Sequence, residues 1–159
     1  MSTLSDHIRK NIEALTARYP RKQAVTLPAL HMVQEEHRCV PPAAMREIAE
    51  LLDLHPSEVN DTASFYGIFR GEKDPLGKIR LWVCRSLPCM LRGGDELLEA
   101  LATKLGVKPG GTTADGKITL EFAECLGACE GAPCVLVDDV HRVNITPDKI
   151  DELIADLRK

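Results

Sequence analysis

Two close cysteine pairs constrain this chain more than any other feature: Cys84-x4-Cys89 and Cys125-x3-Cys129. Each follows a stretch of alternating residues. Ile79, Leu81 and Val83 alternate with Lys78, Arg80 and Trp82, and Ile118, Leu120 and Phe122 repeat the pattern. A period of two predicts half-buried strands. Each cysteine pair is therefore expected in a loop just after a strand. If the two strands are neighbours in one sheet, the loops meet at one end and four thiols converge there.

The first half of the chain has a different period. Ile8, Ile12 and Leu15 share a helical face, with Ser5 or Asp6 as cap and Tyr19-Pro20 as the end. A second helix is expected from Leu27-Pro28, turning Leu27, Leu30 and Val33 inward and Gln34, Glu35 and Glu36 to water. A third runs from Pro42 to about Leu54 on Met45, Ile48, Leu51 and Leu52, and a fourth follows Pro56 as far as Tyr66. Four short amphipathic helices predict a small bundle over residues 1–72. The charged stretch from Arg70 to Gly77 reads as a linker. Beyond it, residues 73–159 read as strand, helix (Asp95 to Leu105), strand, a hairpin and a final helix. The hairpin joins Cys134–Val137 to Arg142–Ile145 around Asp138-Asp139. Thr146 and Pro147 open the last helix, and Ile150, Leu153, Ile154 and Leu157 form its apolar face. The fold class is α+β.

Composition narrows the function classes. The chain has 159 residues, 20 basic and 24 acidic, for a net charge of −4, and neither half is basic. Nucleic acid is therefore not an expected partner. Hydrophobic residues make up 44%, which supports a real core and excludes wholesale disorder. No apolar run reaches the roughly 20 residues of a bilayer span, so direct membrane insertion is not expected. The first apolar stretch is interrupted by Asp6, His7, Arg9 and Lys10, unlike a signal peptide. A cytosolic, thiol-reducing location follows as an expectation, and the six cysteines then call for a role other than disulfides.

Four converging thiolates suit zinc or an iron–sulfur cluster. Zinc ribbons favour a two-residue spacer around one ion, whereas the spacers here are four and three. A binuclear [2Fe-2S] rhomb is longer and accepts wider loops. Oxidised and held by four thiolates, it carries a net charge of about −2, so it needs backbone N–H groups close by. Gly93-Gly94, Gly127 and Gly131 allow such an approach, and Arg85 and Arg92 add positive charge. Buried free cysteines, a disulfide, and a structural zinc site on a non-redox scaffold are the competing readings. No general acid–base pair, serine triad, phosphate loop or dinucleotide fingerprint is present, so no complete active site is expected in this chain alone.

The segments VCRSLPC and ECLGACEGAPC resemble the 24 kDa subunit family of respiratory NADH dehydrogenase (complex I, NuoE in bacteria). Tyr19-Pro20, LPALHMVQEE from Leu27 to Glu36, and ASFYGIF from Ala63 to Phe69 extend the resemblance. It implies a helical N-terminal bundle followed by a thioredoxin-like domain with a mixed four-stranded sheet and flanking helices. It also implies one [2Fe-2S] cluster, with Cys84, Cys89, Cys125 and Cys129 as its iron ligands. The implied partner is a NuoF-like flavin subunit that carries FMN and binds NADH, in a complex lying peripherally on the cytoplasmic face of the inner membrane. Related subunits serve soluble NAD-linked hydrogenases and formate dehydrogenases. Two positions depart from the family pattern: His37-Arg38-Cys39 replaces a glycine-containing turn, and Cys134 replaces a plain apolar residue.

The remaining cysteines and aromatics carry blander expectations. Cys134 opens the apolar run CVLV and reads as core, and Cys39 as a loop or core thiol. His7, His31, His55 and His141 have no ligand-spaced partner and read as ordinary residues. Phe65-Tyr66 reads as packing between helix and sheet, whereas Trp82 lies off the apolar face.

Overall fold

A computed structural model describes residues 3–158. It divides into two compact units, Met1–Pro75 and Leu76–Lys159.

The first unit is helical. Its elements are α1 (Asp6–Thr16), a 3-10 turn (Lys22–Val25), α2 (Thr26–His37), α3 (Pro42–Leu52) and α4 (Pro56–Phe65). Ser5 caps α1 by accepting the Ile8 N–H at 3.3 Å. Helix α1 stops at Thr16, short of Tyr19-Pro20. His55 caps α4: its Nδ1 accepts the Ser57 N–H at 3.3 Å, while Glu58 accepts the His55 N–H at 2.9 Å. Ile8, Ile12, Val25, Leu30, Val33, Ile48, Leu52 and Val59 form the core. Each such side chain contributes about 1.5–3 kcal/mol when fully buried.

Three expectations for this unit change. Gln34 is buried, because its amide bridges backbone groups that no helix satisfies. Its Nε2 donates to the Ile68 carbonyl at 2.8 Å, and its Oε1 accepts the Arg70 N–H at 2.7 Å. Phe65 is 80% exposed and meets only the edge of the Tyr66 ring among aromatic neighbours, so it is not a packing residue. Helix α3 ends at Leu52, two residues before Leu54, because Asp53 turns left-handed (φ 57) and caps it. Arg38 also adopts a left-handed conformation, φ 60, immediately after α2. That is why a glycine-containing turn suits this point in the chain.

The second unit is a mixed four-stranded sheet flanked by helices. It comprises β1 (Ile79–Cys84), α5 (Leu87–Leu91), α6 (Gly94–Leu105), β2 (Ile118–Ala123), β3 (Val135–Val137), β4 (Val140–Arg142) and α7 (Ile150–Leu157), with strand order β2-β1-β3-β4. Strands β1 and β2 are neighbours and pair in parallel, with Leu81 opposite Leu120, which meets the condition for the two cysteine segments to share one end of the sheet. One face carries Leu81, Val83, Ile118, Leu120 and Val135 into a core shared with Leu97, Leu101, Ile150 and Leu153. On the other face Arg80 pairs with Glu121 and stacks on Trp82 at 4.2 Å. Trp82 therefore packs on the second face of the sheet.

The hairpin is tighter than expected. Its second strand is Val140–Arg142, not Arg142–Ile145, because Asp138 takes φ 50 and closes the turn with Asp139 alone. Phe122 also departs from its alternation. It lies near the end of the edge strand β2, 41% exposed, beneath the Arg85 guanidinium at 4.3 Å. Pro147 opens a 3-10 turn, Pro147–Lys149, that leads into α7. The Thr146 hydroxyl bonds the Asp148 side chain instead of capping the helix, and this holds the Asp148 carboxyl below its usual range.

Candidate metal centre

The register of the parallel pair brings the cysteine segments together. Cys84 ends β1 opposite Ala123, the last residue of β2, so both strands emerge at the same end of the sheet. The Arg85 N–H donates to the Ala123 carbonyl at 2.9 Å, carrying the pairing one residue further. On the other side of β1, the Cys84 N–H donates to the Cys134 carbonyl at 3.1 Å. Cys84 is thus held between the segments that bear Cys125 and Cys134.

Cys89 does not sit in a loop. It lies within the short helix α5, whose first turn accommodates Pro88 without loss of a hydrogen bond. The chain then reverses through Gly93, φ 90, into α6. Gly94 backs directly onto this turn. A Cβ there would lie 2.8 Å from the Cys89 carbonyl oxygen and 3.0 Å from that of Cys84. Only glycine permits so close an approach.

Cys84, Cys89 and Cys134 are each 1% exposed, and their sulfurs all lie within 4.8 Å of one another. The Cys89 and Cys134 Sγ atoms are 3.8 Å apart. Cys134 is thus buried, as its apolar run predicted, but its sulfur faces two other thiols. Cys125 and Cys129 are exposed, with the Cys125 thiol close enough to help raise that of Cys129. Cys39 is buried in the helical unit.

The electrostatics single out Cys84. Burial pushes its thiol up, but hydrogen bonds outweigh that. The Ser86 and Leu126 amides and the Cys89 and Cys134 thiols bring it below the usual cysteine range. Leu126 belongs to the Cys125–Cys129 loop, so that loop reaches the Cys84 sulfur with a backbone N–H. Burial pushes Cys134 up to about 12, with the neighbouring Cys89 and Cys84 adding to the effect. Cys89 is raised first by burial and then by Cys84. Cys129 is raised by desolvation and by the adjacent Cys125.

This donor chemistry fits an iron–sulfur cluster. Cys84 lies close enough to Cys129 to help raise its thiol, both cysteine pairs offer soft sulfur, and amides of two loops point at the Cys84 sulfur. Among the described residues, no histidine or carboxylate joins a group of three or more candidate ligands.

Two residues position the site in ways the sequence does not reveal: His141 reads there as ordinary, and Arg92 only as nearby positive charge. His141 Nε2 lies 2.7 Å from the Leu126 carbonyl oxygen and ties β4 to the Cys125–Cys129 loop. Arg92 donates from Nε to the Ala132 carbonyl at 2.7 Å, fixing the end of α5 to the segment that precedes Cys134. Both contacts span long stretches of sequence, and neither residue lies at ligand spacing. Arg85 is paired with Glu124, so its charge is largely neutralised beside the site.

Known proteins agree with this reading. One of the NADH-quinone oxidoreductase subunits of Rhizobium meliloti is 40% identical over 151 residues, 95% of this chain and 89% of that protein. Its counterpart in the NADH-quinone oxidoreductase of Mycobacterium bovis is 39% identical over 144 residues, 91% of this chain. This chain spans 56% of that longer relative. Among solved structures, an NAD+-reducing [NiFe]-hydrogenase in the air-oxidised state superposes with a TM-score of 0.72 at 25% identity, over 84% of this chain and 22% of that one. The sequence pattern of the thioredoxin-like [2Fe-2S] ferredoxins matches residues 12–158, and with the fold and thiols described above this chain belongs to that family.

Proposed function

We propose that this chain is the electron-transfer subunit of an NADH:quinone oxidoreductase, holding one [2Fe-2S] cluster through Cys84, Cys89, Cys125 and Cys129. It exchanges electrons with the flavin of a NuoF-like, NADH-oxidising partner, at the cytoplasmic face of the inner membrane. The observation that carries this reading is the exit of both cysteine segments from one end of the β1–β2 pair, with a loop amide reaching the Cys84 sulfur. The 40% identity to a respiratory subunit across nearly the whole chain supports the assembly. Among the described residues, no helix is long and apolar enough to cross a membrane.

When bound, a [2Fe-2S] cluster supplies one-electron oxidation and reduction. The protein supplies the environment for that chemistry. The Ser86 and Leu126 amides stabilise negative charge on the Cys84 sulfur, and burial excludes water from Cys84 and Cys89. Cys125 and Cys129 lie on the exposed side, where a partner can approach closely. Helix α5, which carries Cys89, presents Leu87 and Leu91, 63% and 73% exposed. Apolar side chains this exposed are suited to burial against a partner.

Metal analysis of anaerobically purified protein tests the reading. About two iron and two acid-labile sulfide per chain are expected, with a paramagnetic signal after one-electron reduction. Cys125→Ala loses the iron, while Cys134→Ala keeps it. A colourless Cys134→Ala protein overturns the ligand assignment. Failure to take up iron and sulfide on anaerobic reconstitution, with only zinc bound and no visible absorption, overturns the cluster itself.

The likeness to the NAD+-reducing hydrogenase supports a second assembly, in which the same protein serves a soluble hydrogenase. Identification of the proteins that co-purify with the chain decides between the two.

A further inference from the structure

We propose that Cys84, Cys89 and Cys134 form a second, overlapping metal site, which takes a single thiophilic d10 ion of the Zn(II) class when the cluster is absent. The three sulfurs are buried and lie within 4.8 Å of one another. A tetrahedral zinc with metal–sulfur bonds of about 2.3 Å separates neighbouring sulfurs by about 3.8 Å. The Cys89 and Cys134 sulfurs already stand 3.8 Å apart. A binuclear cluster needs thiolates at both of its ends, whereas this triangle is centred on one point. The triangle thus matches a mononuclear ion, with a water completing the tetrahedron.

The backbone fixes the triangle. The Cys84 amide donates to the Cys134 carbonyl at 3.1 Å, so the two residues are held side by side across β1 and the segment before β3. The Cys134 amide in turn bonds the Cys89 sulfur. Arg92 anchors the Ala132 carbonyl, two residues before Cys134. Binding displaces the thiol protons to solvent, and the ion takes up the thiolate charge. Cys84 and Cys89 belong to both sites, so ion and cluster exclude one another. This exclusion rests on the cluster reading above, but the three-thiol site does not.

The test is zinc titration of the full-length, reduced apoprotein under anaerobic conditions, with Co(II) as a spectroscopic probe. About one Zn(II) per chain is expected, and Co(II) gives the intense ultraviolet band of thiolate ligation. Cys134→Ser and the more nearly apolar Cys134→Val each weaken zinc binding by at least about tenfold. Cys125→Ser leaves zinc affinity within about twofold of the starting protein. Iron and sulfide uptake shows the reverse pattern, retained in both Cys134 variants and lost in Cys125→Ser, and this retention also shows that the Cys134 variants fold. Zinc binding that is unchanged in both Cys134 variants, or as weak in Cys125→Ser, overturns the proposal. If the starting protein takes up no iron yet the zinc pattern holds, the cluster reading falls and the ion site stands.

Discussion

The Leu126 carbonyl oxygen accepts a hydrogen bond from His141 Nε2 at 2.7 Å. A carbonyl can only accept, so Nε2 carries the proton in this contact. Leu126 follows Cys125 directly, and its own amide reaches the Cys84 sulfur. His141 therefore holds a loop that joins the exposed thiols to the buried ones. One such bond contributes about 1 kcal/mol, or roughly fivefold in the opening of the loop. We expect His141→Ala to lose iron to a chelator several-fold faster, with His141→Gln intermediate. Bleaching of the visible absorption measures the rate, and equal rates in all three proteins would show that the contact does not restrain the loop.

Gly94→Ala places a methyl group against the Cys89 and Cys84 carbonyls, at 2.8 and 3.0 Å. Neither backbone oxygen can retreat without moving a cysteine. A cost of about 1–3 kcal/mol is expected, as for other overpacked sites. Thermal unfolding reads the loss of stability, and metal analysis reads a lower iron content. The control is Gly71→Ala, where a Cβ meets nothing within 4 Å and both measurements should stay unchanged.

In the helical unit, Gln34→Leu removes the bridge between the Ile68 carbonyl and the Arg70 amide. Leucine preserves the volume but leaves both backbone groups without this partner. We expect a loss of about 2 kcal/mol, measured by denaturant unfolding. Glu35→Leu, one residue further along the exposed face, is expected to change stability little.

Asp115 gives a pH dependence of known sign. The Thr113 hydroxyl donates to its carboxylate at 2.5 Å and the Lys117 amide at 3.1 Å, and these bonds hold its carboxyl below the usual range. A depressed folded-state value means that the stabilisation is present above the unfolded-state value. It is lost as the pH falls through the folded-state value. Carboxyl-carbon NMR is expected to show Asp115 titrating below an ordinary aspartate, and Asp115→Asn is expected to flatten this part of the acid-unfolding profile. A normal titration midpoint for Asp115 would contradict the contact.

Residue order alone was enough to define most of the elements, though not the short helix α5 around Cys89 or the second strand of the hairpin. Alternation over Ile79–Val83 and Ile118–Leu120 marks the two strands, and Cys84, Cys89, Cys125 and Cys129 stand at or after their C-terminal ends in the sequence. Helical periodicity and proline placement locate the four N-terminal helices, because one buried face dictates apolar residues at fixed intervals. Whatever depends on partners distant in the chain emerged only with the packed fold. Gln34 looks like a solvated residue until Ile68 and Arg70 arrive beside it, and Phe122 looks buried until β2 proves to be an edge strand. Cys134 belongs to an apolar run, yet the pairing of its carbonyl with the Cys84 amide turns its thiol towards two others. Periodicity records which face of an element is buried. It does not record which atoms of another element lie against that face, and in this protein those atoms define the sulfur site.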